Sequence, residues 1–187
     1  YANGLDRAPV APAGEHAPPK SVGNGLTFPK NLQGREEIAS GIAMLSDQVA
    51  ARLRRHGMKC GGVALTVRDP DFRDVSRQKQ LDHPTNLSRE LAREAMDLAD
   101  QLWNMSLPVR ALTVTAIYLV AEDEAVAQQD LFAEAEEEKR QRLEQLDRAM
   151  DAIRDKYGKG AIGRASTPKG MDRERHAPPP GGAYHPK

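Results

Sequence analysis

The stretch GGVALTVRDPDFRDVSRQKQL, Gly61 to Leu81, holds two strands and the turn between them. Val63, Leu65 and Val67 alternate with smaller or polar residues, the period-2 pattern of a half-buried strand. Asp69-Pro70-Asp71 is a turn signal, and Val75 to Leu81 reads as a second strand, so the two predict a β-hairpin.

Upstream, Ile38, Ile42, Leu45, Val49 and Leu53 recur every three or four positions between Arg35 and Arg55, and Gly57 supplies a stop, which predicts a helix. Before it, SVGNGLTF reads as a strand closed by Pro29. Downstream, Asn86 offers a cap, and Leu87, Leu91, Ala95, Leu98 and Leu102 repeat the helical stripe until Pro108. VRALTVTAIYLV, Val109 to Val120, is rich in β-branched residues and reads as a central strand, apolar on both faces. The order βαββαβ within residues 21–121 predicts an α+β, ferredoxin-like domain: a four-stranded sheet with two helices on one face.

The flanks differ in composition. Residues 1–20 carry prolines 9, 12, 18 and 19 and read as a proline-rich tether. Residues 122–133 form an acidic connector, and Glu122 to Glu138 contains eight acids and no base. Leu143, Leu146, Met150, Ile153 and Tyr157 predict an amphipathic helix from about Glu134 to Tyr157, within a segment 134–166, whose stripe calls for docking on another body. Residues 167–187, rich in proline and glycine with almost no large apolar residue, are expected to be disordered. The chain starts with Tyr1, and we read it as the C-terminal part of something longer.

Composition narrows the classes. Of 187 residues 29% are charged, 39% hydrophobic and 4% aromatic, and 27 basic side chains balance 27 acidic ones. Mean hydropathy is -0.64, and no apolar run approaches the roughly 18 to 20 residues of a membrane span. Cys60 is the lone cysteine, which excludes an internal disulfide framework and fits a cytoplasmic protein. Beside Gly61 it reads as a small buried residue. His16, His56, His83, His176 and His185 show no ligand spacing, and neither a Ser/His/Asp set nor a phosphate-binding glycine loop is present. Trp103 reads as helix packing.

Two motifs carry chemistry. Arg68, Arg73, Arg77 and Lys79 line the hairpin, where bases two apart share one side of a strand and can track a phosphate backbone, with Ser76 as a neutral donor. The alternative is a solvated strand face paired with Asp69, Asp71 and Asp74. In the acidic connector, QQDLF (Gln128 to Phe132) sets two adjacent apolar residues in a polar stretch. It resembles the bacterial sliding-clamp-binding pentapeptide, in which two apolar anchors fill a pocket while an amide fixes orientation. The competing reading makes Phe132 a staple of the next helix.

The ordered set KSVGNGLTFP (Lys20 to Pro29), Glu36-Glu37, VSR in the hairpin, PVR (Pro108 to Arg110) and QQDLF resembles the little finger domain and clamp-binding tail of a bacterial Y-family DNA polymerase. PVAPAGEHAPPKS is similar to the tether from the thumb, and LDRAMDAIRDKYGKGAIGRAS to the closing helix and tail of DinB-like and UmuC-like members. The resemblance implies error-prone translesion synthesis and repair within the SOS response, with the little finger gripping primer-template DNA through phosphates. By motif position it implies Ser21, Asn24, Arg68, Ser76, Arg77, Lys79 and Arg110 as DNA-facing, and Gln128, Asp130, Leu131 and Phe132 as clamp-binding. It implies no cofactor and no catalytic or metal residue in this chain, with Mg2+ held by a palm domain upstream. Implied partners are DNA, the sliding clamp and other mutagenesis proteins, with no membrane. A catalytically silent homologue acting as a mutagenesis-complex adaptor is the alternative. An RNA-binding module of the same topology would need aromatics on the central strands, which VALTV and LTVTAI lack.

Overall fold

The computed structural model describes residues 19–125, 134–158 and 160–163. The elements run β1 (Ser21–Leu32), α1 (Gly34–Arg55), β2 (Met58–Arg68), β3 (Asp74–Thr85), α2 (Ser88–Leu102), β4 (Val109–Ala121), a single turn α3 (Glu122–Ala125) and α4 (Glu134–Tyr157). The four strands form one antiparallel sheet in the order β1-β4-β2-β3, the βαββαβ arrangement expected from the sequence.

Both α1 and α2 cover the same sheet face. The α1 stripe Ile38, Ile42, Leu45, Val49 and Leu53 is buried, as are Leu91, Ala95 and Leu98 of α2, against Val63, Leu65, Val67, Leu112, Val114 and Ala116 of the central strands. Gly41 of α1 permits close approach: a Cβ there would stand 3.0 Å from Phe28 Cζ and 3.1 Å from a Leu32 methyl. Phe28 and Leu32 are themselves fully buried, worth ~1.5–3 kcal/mol each. Cys60 lies in the same core, where burial pushes its thiol up to about 12 and its Sγ donates to the Thr85 carbonyl at 3.3 Å. Trp103 follows the last turn of α2, packs against the core and donates from Nε1 to the Leu107 carbonyl at 3.2 Å.

Several sequence expectations are corrected. β1 continues past Pro29 to Leu32, with a register shift between Thr27 and Leu32. Proline is tolerated because β1 is an edge strand, where a missing N–H breaks no ladder. β3 likewise runs through Pro84 on the other edge. Asn86 does not cap α2. Its Nδ2 reaches the Met58 carbonyl at 3.5 Å, and the residue preceding the helix is Leu87, which has no side chain to cap with. β4 is central, but it is not apolar on both faces, because Thr113 and Thr115 alternate with the buried Leu112, Val114 and Ala116.

α4 has the expected extent but not the expected contact face. It packs on its own domain through Arg140, Glu144, Asp147, Asp151 and Arg154. The apolar stripe straddles the edge of that contact: Met150 is buried and Leu143 half-buried, while Leu146, Ile153 and Tyr157 face solvent. Arg54 dictates this orientation. It is buried, donates Nη1 to the Asn86 carbonyl at 2.7 Å, and finds its counter-ions in Asp147 at 3.1 Å and Asp151 at 2.7 Å. A buried guanidinium requires such partners, and α4 supplies them.

Candidate nucleic-acid interface

Strand register sorts every sheet residue onto one of two faces, since side chains alternate. Pairing sets Leu26 against Leu112, Val75 against Val67, and Arg77 against Leu65, all on the helix-covered side. The opposite face carries Ser21, Gly23, Gly25 and Thr27 from β1, Ala111, Thr113, Thr115 and Ile117 from β4, Ala64, Thr66 and Arg68 from β2, and Asp74, Ser76 and Gln78 from β3. Neither α1 nor α2 covers this open face.

Its chemistry is hydroxyl-rich, and it is low in relief around Gly23 and Gly25, whereas the exposed Tyr118, whose Oη accepts from Gln78 Nε2 at 3.4 Å, stands beside Ile117 at its far end. Gly23 and Gly25 stand opposite Thr115 and Thr113, and a Cβ at either would fall 2.8 Å or 2.5 Å from the threonine hydroxyl. A shallow hollow of about 160 Å³ lies where Gly25, Thr27, Thr66, Arg68, Asp74 and Thr113 meet. Arg68 donates in bidentate fashion to Asp74, with both contacts at 2.6 Å, and its guanidinium holds the Asp74 carboxyl below the usual range. That pair is charge-neutral, so the open face offers hydrogen-bond donors rather than net positive charge.

The seven residues implied to face DNA do not form one surface. Ser21, Arg68 and Ser76 lie on the open face. Arg77 and Lys79 point to the helix side of edge strand β3. Arg77 Nη1 reaches Gln101 Oε1 at 3.4 Å, and Lys79 Nζ donates to Glu94 Oε2 at 2.6 Å. Of the hairpin bases, Lys79 thus meets an acid supplied by α2, Arg68 meets Asp74 of the hairpin itself, and Arg77 meets the Gln101 amide. Burial works to raise the Glu94 carboxyl, but hydrogen bonds from Lys79 and Arg93 outweigh it and hold the group below its ordinary value. Asn24 shares the helix side with Leu26. Its Nδ2 donates to Gln48 Oε1, and its Oδ1 accepts from Arg52 Nη2 at 3.5 Å. Arg110 has the parity of Leu112 and donates to the Phe28 carbonyl at 2.6 Å.

Sequence parity already separated Ser76 from Arg77, because adjacent strand residues point to opposite faces, and it separated Ser21 from Asn24 as well. The threonines of the open face were missed although Thr113 and Thr115 show the alternation; reading β4 as apolar throughout hid them. Gln128, Asp130, Leu131 and Phe132 lie outside the described residues, as do residues 1–18 and 164–187.

Comparison with known proteins converges on one family. Residues 19–131 match the model of the impB/mucB/samB family C-terminal domain. DNA polymerase IV of Acetivibrio thermocellus is 38% identical over 164 residues, covering 88% of this chain and 40% of that protein. DNA polymerase IV of Pelotomaculum thermopropionicum is 36% identical over 176 residues, covering 93% of this chain and 42% of that protein. The chain thus spans about two fifths of the length of these relatives. Among solved structures, the little finger domain of PolIV in complex with the beta-clamp processivity factor is 16% identical at a TM-score of 0.44, over 52% of this chain and 86% of that one. A post-insertion binary complex of Dbh DNA polymerase gives 16% identity and a TM-score of 0.47, over 54% of this chain and 29% of that one. With the family model covering more than half of its length, the chain belongs to the impB/mucB/samB family and carries its C-terminal domain, the little finger of Y-family DNA polymerases.

Proposed function

We propose that this chain is the DNA-binding and clamp-tethering part of an error-prone Y-family DNA polymerase acting in translesion synthesis and repair in the cytoplasm. Family membership and the DNA polymerase IV relatives support the reading. The observation that carries it is the open sheet face, where the hydroxyls of Ser21, Thr66, Ser76, Thr113 and Thr115 lie together with the β1 glycines Gly23 and Gly25. A low, donor-rich surface can lie along a duplex and bond to phosphates without reading bases, which suits an enzyme that must accept damaged templates. Ser21, Ser76 and Arg68 contribute from this face, and Arg77, Lys79, Asn24 and Arg110 serve from its rims. Leu131 and Phe132, oriented by Gln128 and Asp130, anchor the sliding clamp, and other mutagenesis proteins are further partners.

Magnesium-dependent nucleotidyl transfer is assigned to a palm domain upstream. The described residues of this chain do not fit a metal site, since no three His, Cys, Asp or Glu side chains among them are placed to share an ion. No helix among the described residues is long and apolar enough to cross a membrane.

Fluorescence anisotropy with labelled primer-template DNA tests the interface. Replacing Ser76 and Thr113 with glutamate puts two carboxylates on the open face and should weaken binding at least about tenfold at low salt. Unchanged affinity would place the DNA elsewhere.

A further inference from the structure

Between Lys139 and Tyr157, α4 pairs its acids with bases of the domain, and Arg140, Arg148 and Arg154 with acids of the domain, while Arg142 and Lys156 stay outside. Of its side chains from Lys139 to Tyr157, Glu144 pairs with Lys59, Asp147 and Asp151 with Arg54, and Asp155 with Arg55. All four carboxylates in that span are thereby committed to the domain. At 3.6 residues per turn, Arg142, Leu146, Ala149, Ile153, Lys156 and Tyr157 fall together on the opposite side. Leu146 is 51% exposed, Ile153 36% and Tyr157 67%. Lys156 Nζ stands 5.2 Å from the Tyr157 ring centre, which keeps that cation beside the apolar ridge.

A helix usually buries its apolar stripe and exposes its charges. Here ion pairs fix the helix, and three large apolar side chains remain outside, flanked among the described side chains from Lys139 to Tyr157 by the bases Lys139, Arg142 and Lys156 and by no acid. We propose that this ridge of α4 is a docking site for an acidic amphipathic helix of a partner protein. Leu146, Ile153 and Tyr157 would pack against its apolar side, and Arg142 and Lys156 would meet its flanking carboxylates. Charge selects this occupant over a second copy. Antiparallel pairing of two copies opposes Arg142 to Lys156, and parallel pairing opposes each base to itself, so both arrangements repel. The ridge lies on a helix outside the sheet, so docking there leaves the open sheet face clear.

The test uses the full chain and two fluorescein-labelled amphipathic helical peptides of about three heptads each. Both share one leucine stripe, and one carries only glutamate at the flanking positions, the other only lysine. The glutamate peptide should bind at least about tenfold more tightly at low salt. L146S/I153S should lose that binding, and R142E/K156E should reverse the preference between peptides. Both variants change exposed side chains and should keep the wild-type melting temperature, which a circular dichroism melt records. Failure of the glutamate peptide to bind, equal affinities for the two peptides, or binding indifferent to the variants would overturn the proposal. Concentration-dependent dimerisation of the chain in sedimentation, abolished by L146S/I153S, would assign the ridge to a second copy instead. Loss of DNA affinity in R142E/K156E without altered peptide preference would assign it to nucleic acid.

Discussion

Asp147 caps a helix that begins 59 residues before it: its Oδ2 accepts from the Ser88 backbone N–H at 3.0 Å and from the Ser88 hydroxyl at 2.7 Å. The start of α2 carries orphan N–H groups and a partial positive charge, and Leu87 cannot satisfy them. The carboxylate from α4 does so while also pairing with the buried Arg54. One residue thus joins α4, α1 and α2.

Asp147→Ala should therefore destabilise the domain by about 3–5 kcal/mol, because it leaves the Arg54 charge short of a partner and the α2 terminus uncapped. Urea denaturation followed by circular dichroism measures this. Arg54→Met combined with Asp147→Leu and Asp151→Leu should recover part of the loss, since an apolar set removes the unpaired charges while α2 stays uncapped. A combined variant as unstable as the sum of its singles would show that the three residues act independently.

Arg77→Ala with Lys79→Ala should weaken DNA binding and make the salt slope shallower by about one to two units. Glu94→Gln should do the reverse. Removing the carboxylate frees Lys79 and Arg93 for phosphate, so affinity and slope both rise. Anisotropy titrations across a salt series read both variants, and a neutral Glu94→Gln would mean that Lys79 does not reach DNA.

Leu131→Ala with Phe132→Ala should abolish binding to the purified sliding clamp in calorimetry. Each buried side chain is worth ~1.5–3 kcal/mol, and an affinity in the micromolar range cannot survive losing both. DNA affinity and melting temperature should stay at wild-type values. A lowered melting temperature would instead make Phe132 a packing residue.

Acid should erode stability through Glu94. Its folded carboxyl titrates below the ordinary 4.5, so the ionised form is the one the fold favours. That contribution is fully present above pH 4.5 and is lost as pH falls through the lower folded value. Urea midpoints measured from pH 7 down to pH 3 should fall in the acid limb, and less steeply for Glu94→Gln than for wild type. Parallel curves would remove Glu94 from the acid response.

The order and kind of the elements were legible in the sequence. Stripes such as Ile38 to Leu53 and Leu87 to Leu102, and the alternation of Val63, Leu65 and Val67, each report a local period, and a period needs no distant information. Periodicity says which residues share a face but not what covers that face. Whether Arg77 and Lys79 looked toward α2 or toward the open side, and whether Asn24 was available or tied to Gln48 and Arg52, depended on which sheet face the helices took. The same limit governed α4. Its sequence pattern marks Leu146, Ile153 and Tyr157 as the side to bury, yet the helix turns them outward, because Arg54, buried at the end of α1, can be neutralised only by carboxylates on the opposite side of α4. Local patterns were thus enough for the helices, the strands and the period of each. Which faces met was settled by packing, since desolvation of a charge acts only where the chain has closed around it.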